Sequence, residues 1–146
     1  MKRAILLNGI LAIAVQGAAN NWREWIKLVC RSKIAFHHLQ SGRKDVGQFC
    51  TLLIVTPDLQ APQADELFVS TLDELKTQFV RSGCMLGEFH QGPPKKGGLH
   101  NPDFRPLFSP VALMAIRQMV ETDIHFLKGN DAWREIHASR FSIPTQ

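Results

Sequence analysis

Gly83-Cys-Met-Leu-Gly-Glu-Phe-His90 decides the reading of this chain, being short, alternating and set between a helical pattern and a long loop. Period-two geometry makes it a strand, with Cys84, Leu86, Glu88 and His90 on one face and Met85, Gly87 and Phe89 on the other. Immediately upstream, Ala64, Leu67, Phe68, Leu72, Leu75, Phe79 and Val80 fall at helical spacing as one apolar stripe. Pro62 with the acids Asp65 and Glu66 suits the start of that helix, and Lys76, Arg81 and Gly83 suit its end. Further upstream, Phe49-Cys-Thr-Leu-Leu-Ile-Val-Thr56 is apolar, rich in β-branched residues and closed by Pro57-Asp58, which predicts a strand covered on both faces. The three segments form a β-α-β unit, with a right-handed crossover if the strands are parallel.

Outside this unit, Asn21-Trp-Arg-Glu24 reads as a capping box, and Trp22, Trp25, Ile26 and Val29 share the apolar face of a helix over 21–39. Pro110 opens the apolar run 111–120, a strand over at least 111–117. Asn130 or Asp131 caps a last helix in which Trp133, Ile136 and His137 share a face. The order α-β-α-β-long loop-β-α predicts an α+β fold, a small mixed β-sheet with helices packed on it.

A chain of 146 residues with 45% hydrophobic content supports a single domain, placed at 20–146. The net charge of +4 comes from scattered basic residues, and without a basic stripe a nucleic-acid partner is not expected. Cys30, Cys50 and Cys84 form neither a disulfide framework nor a paired zinc pattern, which fits a reducing, cytoplasmic setting. Residues 1–19 form a hydrophobic leader behind Met-Lys-Arg, either signal-like, which would mean export, or a packed segment. The run is too short to span a membrane.

The loop over 91–110 is longer than compact domains ordinarily keep without a use. Glu88 and His90 sit at i and i+2, where a carboxylate orients an imidazole and the two can work as an acid/base pair or share a ligand. The proline-stiffened stretch His100-Asn-Pro-Asp-Phe-Arg-Pro106 presents His100 or Asp103 as a base and Arg105 as an anion clamp, or instead pairs Asp103 with Arg105 internally. Phe104 and Leu107 look like its anchors. Lys96 and Asn101 join the candidate substrate-binding set, Lys96 through a glycine-flanked cationic turn. Arg117, closing an apolar strand, needs an anion, either Glu88 or a substrate. Glu121, Asp123 and His125 alternate, yet metal-ligand spacing is absent, and no metal is assigned.

Gly87-Glu-Phe-His90, Gly98-Leu-His-Asn-Pro-Asp-Phe-Arg-Pro-Leu107, Ser109-Pro-Val111, Ala115-Ile-Arg117, Met119-Val120, Thr122-Asp123 and Phe126-Leu127 together resemble the signature of an uncharacterised bacterial family of domains of unknown function. The resemblance covers 46–141. It departs at Gln118, where a His is usual, and at Ala112, where a Pro is usual. Family members carry a further strand ahead of the first helix, so the resemblance reads this chain as a truncated member. It implies a site at His90, His100, Asp103, Arg105 and Arg117, and no reaction. A fainter similarity to haem-dependent N-oxygenases implies haem held by His90 or His100, with no residue-level motif behind it.

The expected function is a small-molecule enzyme, or its remnant, binding an anionic substrate under the 91–110 loop. The alternatives are a non-catalytic interaction domain, docking through Phe104, Leu107 and Phe108, and a haem-binding domain. An exposed sheet edge would favour a homo-oligomer.

Overall fold

The computed structural model describes residues 3–7 (backbone alone), 9–45, 47–92 and 106–142. Its elements are β1 (Arg3–Leu7), β2 (Ile10–Ala14), α1 (Trp22–Gly42), β3 (Thr51–Val55), α2 (Ala61–Arg81), β4 (Cys84–Phe89), β5 (Leu113–Gln118) and α3 (Asp131–Phe141). The fold is α+β, with helices packed on one mixed five-stranded sheet of order β1-β2-β3-β5-β4. Only β2 and β3 pair in parallel; the other neighbours are antiparallel.

The structure adds a hairpin in front of the expected order. Part of the stretch 1–19 builds β1 and β2, and β2 bonds β3 along its whole length. The adjacent parallel pair is therefore β2-α1-β3. The strands flanking α2 also run parallel, but β5 lies between them, antiparallel to both. Its residues Met114 and Ile116 are wholly buried on one face while Leu113 and Ala115 are half-buried on the other, as a central strand requires. His90 falls just past β4, bridged to Phe108.

The two long helices, 21 residues each, cover one face of the sheet. Trp25, Val29 and Phe36 of α1 and Ala64, Phe68, Leu75 and Phe79 of α2 pack on Leu52, Ile54, Leu86, Met114 and Ile116. Asn21 caps α1 by accepting the Glu24 N–H at 3.2 Å, and Asn130 caps α3 by accepting the Trp133 N–H at 3.2 Å. A smaller cluster of Val80, Met85, Met119 and Leu127 seats Trp133 and Ile136 of α3. Gly83 turns α2 into β4 with a φ of 75°, a left-handed conformation that side chains disfavour. None of the three cysteines joins a disulfide among the described residues, and burial pushes the Cys84 thiol up from its ordinary range. Among the described residues, no helix is long and apolar enough to cross a membrane.

One buried polar bond ties the helix layer together. The Trp25 indole N–H donates to Thr71 Oγ1 at 2.8 Å, and that hydroxyl donates to Leu67 O at 2.6 Å. Thr71→Val keeps the shape but leaves the indole N–H without a partner, so it is expected to cost about 1–3 kcal/mol in urea unfolding followed by tryptophan fluorescence.

Candidate functional site

His90 is the most deeply buried ionisable side chain at the end of β4, at 1% exposure. Two elements fix its ring. The Gly92 N–H donates to Nδ1 at 3.1 Å, and Phe68 of α2 meets the ring edge-on with centroids 5.9 Å apart. Because Nδ1 accepts, the neutral imidazole carries its proton on Nε2. Nε2 faces Glu88 Oε2 at 3.4 Å and Asp65 Oδ1 at 3.7 Å. Neither contact is aligned as a hydrogen bond, and Nε2 and Oε2 are both buried without such a partner among the described residues. The strand alternation brings Glu88 and His90 to one face, and the first turns of α2 bring Asp65 over them.

Among the described residues, the opposite face of the sheet is only partly covered and forms a trough of about 510 Å³. Leu53, Leu113, Ala115, Gly87, Met85 and Phe89 make an apolar floor, Leu107, Phe108 and Ser109 one wall, and Phe126 another. Glu88, Leu72 and Lys76 join it around β4, the last strand of the sheet among the described residues. His90 backs a second hollow of about 260 Å³ between Gln60, Ala61, Gln91 and Pro110. Its backbone N–H donates to Leu107 O and its carbonyl accepts the Ser109 N–H, each at 3.1 Å, so the far end of the 91–110 loop is pinned beside the imidazole.

Residues 2–146 match a family as one continuous span. The chain belongs to the family described as Domain of unknown function (DUF6875). No curated protein and no solved structure matches it. The match takes in the N-terminal hairpin, well beyond 46–141, and β2 supplies a strand ahead of the first helix.

Of the residues expected at the site, Glu88 and His90 come together, and Arg117 stands apart from them on the trough face. The anion Arg117 meets is Asp123, not Glu88, which projects from the opposite face of the sheet. Two bonds of 2.8 and 2.6 Å join guanidinium and carboxylate, and the bond to Asp123 holds the guanidinium still further above its ordinary range. Asp123 also accepts the Val120 N–H at 2.8 Å. Glu121, Asp123 and His125, read as standing at alternate positions, belong to a 3₁₀ turn, Glu121–Phe126. Lys96, His100, Asn101, Asp103, Phe104 and Arg105 lie outside the described residues. His90 does not suit a haem iron, which would need Nε2 turned into an apolar slot rather than toward two carboxylates.

Asp65 is the residue that sequence reading missed. As an acid near a helix start it looked like a partner for the helix dipole. Its placement over His90 depends on how α2 lies across β4, which no local spacing reports.

The Arg117–Asp123 pair joins β5 to the turn beneath α3. Asp123→Ala strips a half-buried guanidinium of its anion and leaves the Val120 N–H bare, for an expected loss of about 2 kcal/mol in denaturant unfolding.

Proposed function

We propose that this chain is a small-molecule enzyme whose substrate lies in the trough, with Glu88 and His90 at its reactive end. One observation carries the reading: the carboxylate that lines the trough stands 3.4 Å from a fully buried imidazole whose orientation is fixed through its other nitrogen. An imidazole held in one tautomer beside a carboxylate is an acid/base pair with little reorganisation left to do. Glu88 meets the substrate and takes its proton; His90, held with Nε2 turned toward that carboxylate, keeps it in place.

The trough itself is suited to an apolar body, since its floor is nearly all aliphatic and aromatic. Arg117 is already matched by Asp123, and Lys76 Nζ lies 4.8 Å from the centre of the Trp133 ring. The anionic end of the substrate is therefore assigned to Lys96, Asn101 and Arg105, with His100 and Asp103 as further proton carriers. All five belong to the loop whose described end walls the trough.

The probe for this reading is anilinonaphthalene sulfonate, an apolar body with one anionic group. Saturable fluorescence enhancement is expected from the folded protein. Gly87→Leu fills the floor, where an added Cβ would meet nothing closer than Phe89 at 3.7 Å, and should weaken binding at least about tenfold at unchanged stability. Equal binding by the filled variant would remove the trough from the proposal.

A second reading, an interaction surface, draws on Phe108 and Phe126, both more than half exposed at the trough walls. Light scattering separates the two: a concentration-dependent dimer abolished by Phe108→Ser supports docking, and a monomer at all concentrations supports the ligand site.

A further inference from the structure

We infer that Asp65, Glu88 and His90 form a binding site for a first-row divalent cation. The assignment rests on the reading of Glu88 and His90 as the reactive end of the trough, and gives that end a Lewis acid.

The ligand atoms are His90 Nε2, Glu88 Oε2 and Asp65 Oδ1, all within 4.8 Å of one another. Bonds of about 2.1 Å at a tetrahedral angle put neighbouring donors about 3.4 Å apart. The two measured separations, 3.4 and 3.7 Å, are of that size. They are too long and misdirected for good hydrogen bonds, yet Nε2 and Oε2 are both buried and unpartnered among the described residues. Leaving two such atoms facing each other is costly, and a cation between them satisfies both. One imidazole with two carboxylates is a borderline-to-hard donor set that suits zinc or manganese. Three protein ligands leave coordination positions for water or substrate, as in catalytic metal sites. Asp65, whose side chain is 51% exposed, marks the side from which the ion enters.

The ring tautomer makes the site diagnosable. Without a cation, the Gly92 N–H donates to Nδ1 and the proton sits on Nε2. A cation binds Nε2 only in the other tautomer, with the ring proton moved from Nε2 to Nδ1, so the Gly92 amide must turn away. No proton is lost overall.

The test uses tag-free protein, zinc chloride titrated against a chromophoric chelator, and nitrogen NMR of the histidine rings. One equivalent of zinc, a shift of the His90 proton from Nε2 to Nδ1, and at least about tenfold weaker binding by Asp65→Asn are expected. Asp65 is solvent-facing, so this variant should fold normally, as circular dichroism would verify. Absence of stoichiometric binding, an unchanged His90 ring, or equal affinity in Asp65→Asn would overturn the assignment. Sulfonate-probe binding is measured in parallel on metal-stripped protein. A trough that binds the probe without zinc ever binding sinks the metal site alone; zinc bound with no probe uptake sinks the trough alone.

Discussion

A sheet has two faces, and in this chain two long helices seal only one of them. α1 and α2 bury Leu52, Ile54, Met114 and Ile116, and that layer supplies most of the apolar burial that holds the domain together. The other face keeps Leu53, Ala115, Gly87 and Phe89 half-buried, with α3 and a 3₁₀ turn gathered near Met85 and Phe126. Among the described residues, most of the buried apolar side chains therefore lie on the closed face, and the other face is the less covered of the two.

Glu88 and His90 belong to the closed face by strand parity, yet they sit at its rim, where β4 runs out as the edge strand. There the carboxylate reaches around the edge into the trough while the imidazole stays under α2. Burial removes the imidazole from water and the Gly92 N–H sets its tautomer, while its carboxylate neighbour at the rim keeps a small exposure. Low dielectric strengthens whatever passes between the two groups, be it a proton or an ion.

Much of this arrangement was legible in the chain. Alternation in 84–90 placed Glu88 beside His90, and the helical stripes identified most of what α1 and α2 bury, although Trp22, counted in the first stripe, stays exposed. Capping chemistry at Asn21 and Asn130 located two helix starts correctly. Other features were beyond local pattern. A short apolar run interrupted by Asn8 and Gly9 reads equally as a leader, and only pairing with β3 makes residues 10–14 a strand. Arg117 was rightly expected to need an anion, but its partner is neither Glu88 nor a residue of the strand: it sits six residues on, in a 3₁₀ turn. Asp65 was in view and assigned a different task, because tertiary crossing of helix over strand leaves no trace in spacing.

The backbone bonds at His90 carry a last consequence. The residue is tied on both sides to Leu107 and Ser109, which closes the intervening chain into a ring at that point. Closure entropy grows only with the logarithm of ring size, by about 0.6 kcal/mol for each doubling. Lengthening or shortening the segment between these ties would therefore cost little, and the imidazole would stay seated. Insertion and deletion there would leave the placement of Glu88 beside His90 unchanged.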